Sequence, residues 1–462
     1  MTFKRYMKAG AMLAVAALGL TACGGDTATT PSPEAPADTT TAPSPVDETT
    51  PAEETTPADE PAGEAVQIDY LHRLPDGEGM VPVSEIVQRW NDENPNIQVT
   101  ATKFDGEAQE MITKLETDVN ANNAPCLAQL GYAEVPDMFV KGLVEDVTEE
   151  ARKYEGDFGG AFGQMAVGDT IVGLPQDSGP LVYLYNATEF ENLGIEVPTD
   201  SASFIEAAKT AAAEGKYIAS FTPDEATYWL SGQAAGAGAT WYSAENDQWV
   251  VNTTGEETQA VAALWQELLD AEAVATHDRW GDAYGAAMVD GTLIGNIAAA
   301  WETGFALDGL DGTEYEGQWR VAQMPAINGS EMTGPNGGSG VAVMKGCEHP
   351  AEAMEFNAWF NTQVDDLAQQ GLVPAATAPA STPEKMSRQF GGQDVMAELV
   401  TANERMSTDF GYIPGFPAVG GEMQTAAAAA ANGSGKVADI FEAAQAASIA
   451  ALEDAGLPVA QS

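Results

Sequence analysis

From residue 66 onward the sequence alternates short strand-like runs with amphipathic helical ones, and this rhythm limits the possible folds more than any other feature. Residues 66–71 (Val-Gln-Ile-Asp-Tyr-Leu) alternate apolar and polar side chains as a half-buried strand does. A glycine-containing loop, 75–79, follows. Ser84 reads as an N-cap ahead of Ile86, Val87 and Trp90, which share one helical face. Asn94-Pro95-Asn96 breaks that helix. A second strand covers 97–102, a second helix 107–120, and a third short apolar strand 126–130. A β-α-β-α-β order of this kind predicts a mainly parallel sheet covered by helices.

The same rhythm returns later. Strand-like runs fall at 181–185, 217–221, 294–300, 319–323 and 340–344, with helices at 201–213 and 258–269. The last hundred residues read as mostly helical. Gly433-Ser434-Gly435-Lys436 has the tail of a phosphate loop without its upstream glycine. It follows an alanine-rich helix, so it reads as a helix C-cap. The chain therefore predicts two successive α/β units of similar size.

What precedes residue 66 is different in kind. Residues 1–22 have the form of an export signal: Lys4, Arg5 and Lys8, then an apolar run at 11–20 too short to span a bilayer. Leu20-Thr21-Ala22-Cys23 resembles a bacterial lipobox, in which Cys23 receives the lipid. Residues 24–64 are mostly Thr, Pro, Ala, Asp and Glu, with no aromatic residue and no Lys or Arg. Such a composition buries too little apolar area to fold. The region 23–65 is thus expected to be a lipidated, disordered stalk on the extracellular face of the cell membrane.

Charge narrows the partners. The chain has 70 acidic and 19 basic residues. The stalk holds ten of the acids and the leader three of the bases, leaving 60 acidic against 16 basic residues beyond it. Nucleic acid, anionic membrane and phosphorylated ligands are poor partners for that field. Beyond Cys23 only Cys126 and Cys347 remain, and two thiols on an exported chain favour a disulfide. Three His residues, far apart, give no metal motif.

No catalytic signature is present: no His-Glu-x-x-His, no Gly-x-Ser-x-Gly and no nucleotide fingerprint. Paired carboxylates alone could build a glycosidase, and a count of acids does not decide that. What stands out instead is aromatic residues in turn contexts: Tyr132, Tyr228, Trp229, Trp301 and Phe416. A pyranose has an apolar C–H face that lies on such rings, and its edge hydroxyls bond to carboxylates and amides. Asp76, Glu78, Glu134, Asp177, Glu302 and Asn336 lie in or near the same turns.

Five stretches carry a resemblance: 124–137 (APCLAQLGYAEVPD), 173–186 (GLPQDSGPLVYLYN), 228–242 (YWLSGQAAGAGATWY), 336–346 (NGGSGVAVMKG) and 371–377 (GLVPAAT). In them the chain resembles the family 1 extracellular solute-binding proteins, the maltose-binding-protein-like group. The resemblance implies a two-lobed α/β fold of the type II periplasmic-binding-protein kind, with three hinge crossings and a ligand cleft between the lobes. The crossings would fall near 178–181, 339–341 and 373–376. Lobe one would comprise 66–178 plus 341–374, and lobe two 179–340 plus 375–462. A late strand returning antiparallel beside the third would set Cys347 next to Cys126.

The resemblance also assigns roles. Asp76 and Glu78 would bond sugar hydroxyls. Tyr132 and Glu134 would supply a ring and an acceptor, and Asp177 would hold a hydroxyl at the first crossing. Tyr228 and Trp229 would form an aromatic pair on lobe two. Trp301 would be its main stacking ring, with Glu302 beside it. Asn336 and Ser339 would bound a loop offering backbone groups, and Phe416 would stand in for a late ring where the sequence has Glu422 and Met423. The implied function is capture of a mono- or oligosaccharide and its delivery to ABC permease subunits by hinge closure. The protein is then expected to be a monomer without cofactor, metal or catalytic activity, touching the membrane through its lipid only. Other readings are the same fold with a polyamine or another non-sugar solute, and a surface polysaccharide-acting enzyme or adhesin.

Overall fold

In the computed structural model, residues 65–460 are described, apart from 78–79, 107, 247 and 408–409. The export signal, the stalk with Cys23, and Glu78 lie outside the described residues. The strand Val66–His72 runs parallel to Ile97–Lys103 on one side and to Leu127–Gly131 on the other. The helices Val83–Glu93 and Ala108–Asn120 link these strands. They bury Ile86, Val87 and Trp90, and Met111, Ile112 and Leu115. The parallel β-α-β-α-β unit follows as the sequence pattern predicts. Ser84 is not the cap of the first helix. The helix begins at Val83, whose N–H is accepted by the Asp76 carboxylate at 2.9 Å.

The return strand Ser339–Val343 then lies antiparallel beside Leu127–Gly131, with Val343 opposite Leu127. Gly173–Asp177 closes the five-stranded sheet at its far edge. The Cys126 carbonyl accepts the Met344 N–H at 2.9 Å. Cys126 and Cys347 stand with Cα atoms 4.6 Å apart, inside the ~4.4–6.8 Å that a disulfide spans.

The second α/β unit departs from the pattern. Its three-stranded sheet, ordered Gly295–Ala299, Leu181–Asn186, Trp319–Gln323, is antiparallel throughout. Apolar strand runs carry no mark of their direction, so the local pattern could not distinguish this from a parallel sheet. The expected strand over 217–221 shrinks to Ser220–Phe221, paired parallel with Ala275–Thr276. Helices Ser201–Ala213, Glu256–Asp270, Phe416–Ala431 and Val437–Asp454 complete this side. Asp200 and Ser203 form a reciprocal capping box at the first of them. Gly433, at φ 76°, terminates the alanine-rich helix as expected.

The molecule is two-lobed, and three chain passages run side by side between the sheets. Ser178 donates its N–H to Val373 at 2.8 Å, and Ala375 donates to Gln176 at 3.0 Å. Leu181 donates to Gly334 at 3.1 Å and Asn336 to Gly179 at 2.6 Å. The passage at 178–180 is thus hydrogen-bonded to both others. Among the described residues no helix is long and apolar enough to cross a membrane.

Candidate ligand cleft

A cavity of about 620 Å³ opens beside these passages, within the size range of small-molecule sites. Tyr132, Glu134 and Arg73 reach it from loops at the ends of the five-stranded sheet. Tyr228, Glu225, Trp301 and Phe305 reach it from the side of the three-stranded sheet, and Asn336 to Ser339 from one of the passages.

The polar floor is a chain of bonded side chains. Gln129 accepts the Arg73 backbone N–H at 2.7 Å and donates to the Ser339 hydroxyl at 2.9 Å. Ser339 in turn donates to the Asp177 carboxylate. The Tyr132 hydroxyl donates to the Asp177 carbonyl at 2.7 Å. Glu134 accepts the Gly131 N–H at 2.7 Å and Arg73 at 3.3 Å. Burial pushes Asp177 up to about 6, against the Ser339 hydrogen bonds and the charge of Arg73. Burial raises Glu134 as well, with Arg73 and the Gly131 N–H opposing it. Both are acids fixed in place with dry surroundings, which strengthens any hydrogen bond they accept.

The loop at 336–338 needs its glycines. Gly337 and Gly338 have φ of 80° and 92°, a region that favours glycine. A Cβ on Gly338 would lie 2.7 Å from the Tyr132 ring, and one on Gly337 3.1 Å from the Trp301 indole nitrogen. The chain thus passes closely between the two rings. The Trp301 indole N–H is accepted by the Asn336 carbonyl at 2.8 Å.

Seven expected residues line the cavity together: Tyr132, Glu134, Asp177, Tyr228, Trp301, Asn336 and Ser339. Four others do not. Trp229 is a core residue: its N–H is bonded to the Ile297 carbonyl at 2.9 Å and its ring packs 4.5 Å from Trp265. Tyr228 and Trp229 are successive on one helix, so about 100° separates them and only one faces the cleft. Phe416 is fully buried and supports the cleft from behind, against Tyr228 at 5.8 Å and Tyr412 at 4.9 Å. Glu302 turns away from Trp301 to bind Arg279 and the Ala299 N–H. Asp76 holds the start of the first helix and Gln370 at 3.0 Å. Glu78 lies outside the described residues.

The reading of the sequence missed Arg73, Gln129, Glu225, Phe305 and Tyr412, all of which line the cavity. None has a local pattern that marks it. Glu225 is pushed up to about 7, by burial and by Glu302 and Asp224 nearby. A neighbouring cavity of about 640 Å³ shares Met80, Gly304 and Gly371 with the cleft. Its cations are already engaged, Lys385 with Asp308 and Arg388 with Glu316. The aromatic cavity is therefore the better candidate site.

The sequence model of the bacterial extracellular solute-binding proteins matches residues 76–363. Among solved structures, one similar chain is the galacto-N-biose-/lacto-N-biose I-binding protein of an ABC transporter from Bifidobacterium longum, in complex with lacto-N-biose. It is 53% identical with a TM-score of 0.82, over 86% of this chain and 100% of that one. An ABC transporter associated binding protein from B. animalis subsp. lactis, in complex with β-1,6-galactobiose, is 23% identical with a TM-score of 0.71, over 86% and 100%. The sugar-binding protein MalE from Xanthomonas citri is 15% identical with a TM-score of 0.67, over 84% and 98%. These last two bear on the fold alone. No curated protein matches the chain.

Proposed function

The chain belongs to the bacterial extracellular solute-binding proteins, and from that premise we propose that it captures a disaccharide of the lacto-N-biose kind for an ABC importer. The role of a carbohydrate-binding solute-binding protein rests on the family and on the 53% identical relative. The observation that carries the reading is the cavity itself. Rings (Tyr132, Tyr228, Trp301) and fixed acids or amides (Glu134, Asp177, Gln129) face one space. That is the complement a pyranose asks for: flat apolar faces and acceptors at its edge.

In this reading Trp301 and Tyr132 stack on sugar faces, while Glu134 and Asp177 accept hydroxyls. Arg73 is bonded to Glu134 and aims it. Lobe one is 66–178 plus 341–374, and lobe two 179–340 plus 375–462. A sugar that touches both lobes binds the closed form better and shifts the population toward it. The closed form then docks on separate permease subunits. The relatives are binding proteins rather than enzymes, and the same holds for this chain in our reading. The lipid on Cys23 and a disulfide between Cys126 and Cys347 belong to the same proposal.

Thermal unfolding with a panel of mono- and oligosaccharides and one polyamine tests it. A ligand at 100 times its dissociation constant adds about 2.7 kcal/mol, a rise of roughly 3 °C for a chain this long. The expected result is a rise with lacto-N-biose or galacto-N-biose. A rise with the polyamine alone keeps the fold and removes the sugar.

A further inference from the structure

One ring beside the cavity is exposed and yet fixed. Trp280 has 59% of its surface open to solvent. Its backbone N–H donates to Asp224 at 3.1 Å, and its indole N–H donates to Glu225 at 2.5 Å. The preceding Arg279 N–H donates to the same Asp224 carboxylate at 2.8 Å. The Arg279 guanidinium stands 5.0 Å from the Trp280 ring and is itself held by Glu302.

The ring also has an orientation that matters. Its plane lies 6° from that of Trp301, with centroids 6.3 Å apart. It lies 26° from Phe305, at 6.1 Å. Trp301 and Phe305 line the cavity; Trp280 does not. The three ring centroids lie within 6.3 Å of one another, so Trp280 extends the aromatic cluster of the cavity onto the exposed surface. Adjoining exposed apolar side chains, as Trp280 and Phe305 are, mark an interaction site where a single exposed ring does not. A ring already held by hydrogen bonds loses little conformational freedom when a partner arrives.

We propose that Trp280 is the platform of an outer subsite. It takes a sugar ring beyond those enclosed in the cavity, so that ligands longer than a disaccharide bind more tightly. Glu225 serves both compartments: it lines the cavity and it orients the Trp280 indole. This assignment rests on the carbohydrate reading given above.

The test is calorimetric titration of the full chain and its Trp280→Ala and Trp280→Phe variants. The probes are lacto-N-biose and tetrasaccharides that extend it from either end. The unaltered chain should bind one tetrasaccharide about tenfold tighter than the disaccharide, the effect of one well-placed aromatic contact. That ratio should fall to about one in Trp280→Ala and lie between these two values in Trp280→Phe, which keeps a ring but loses the bond to Glu225. No preference for length in the unaltered chain, or a preference that survives Trp280→Ala, overturns the outer subsite. If the unaltered chain gives no heat with any of these saccharides, the carbohydrate reading itself fails, whereas equal binding of all of them removes only the outer subsite, so the two failures are distinguishable.

Discussion

The Trp301 indole N–H is bonded to the Asn336 carbonyl at 2.8 Å, which ties the main candidate stacking ring to one of the three passages between the lobes. The ring that would meet the ligand is thus positioned by the segment that would move when the lobes close. Trp301→Ala should remove both the ring and the tie, lowering sugar affinity by about 30-fold or more, in the range of an interface hot spot. Trp301→Phe keeps a ring without the N–H and should fall between. Titration calorimetry reads both; equal losses in the two variants would show that the ring face contributes nothing.

Gly338→Ala should destabilise the fold by about 1–3 kcal/mol. Its φ of 92° is strained for any side chain, and the added Cβ would meet the Tyr132 ring at 2.7 Å. Gly142 is a useful comparison, since it has φ 69° but open space around its Cβ. Gly142→Ala should cost less, about 1 kcal/mol from the backbone alone. Urea denaturation of the two variants gives the difference, and equal losses would remove the steric part of the argument.

How much of this could be read from the sequence depends on the kind of information each residue carries. The strands and helices of the first unit were legible because apolar period and burial agree there, as at Ile86, Val87 and Trp90. Strand direction in the second unit was not, because Leu181–Asn186 has the same composition whichever way its neighbours run. Tyr132, Glu134 and Trp301 were legible through resemblance. Trp229 and Phe416 were misassigned because an aromatic residue next to a cleft residue looks the same in sequence whether it faces the ligand or the core. Arg73 and Gln129 were invisible because only the pairing of Val66–His72 with Leu127–Gly131 brings them together.

Tyr412→Phe should stabilise the protein. Among the described residues the buried Tyr412 hydroxyl has no hydrogen-bond partner, and an unsatisfied buried polar group costs about 1–3 kcal/mol. Removing the oxygen leaves the ring packing on Phe416 and Tyr228 intact. A higher urea midpoint with an unchanged slope is the expected result. A lower midpoint would mean that the hydroxyl has a partner in solution.

The pH dependence of stability should carry the mark of Glu225. Burial pushes its carboxyl up to about 7 from 4.5. Between those values the folded chain holds a proton that the unfolded chain has released, so stability contributed at low pH is lost as pH rises toward 7. Glu225→Gln keeps a partner for the Trp280 N–H and removes that loss. Its stability advantage over the unaltered chain should therefore be larger at pH 8 than at pH 5. An advantage independent of pH contradicts the assignment.

Replacing Cys126 and Cys347 by Ser should open a loop that joins residues 221 positions apart. The chain-entropy model gives about 5 kcal/mol for that length, as an upper figure. The expected sign is a clear fall in thermal midpoint, matched by adding reductant to the unaltered protein. A midpoint insensitive to both would mean the two thiols remain free.

The central claim is tested most directly by titrating lacto-N-biose into the protein and following the heat at several temperatures. The account predicts one sugar per chain, a negative heat-capacity change from burial of apolar surface, and preference over maltose. No heat with any saccharide, together with saturable binding of a polyamine, would contradict it and give the cleft to a different ligand.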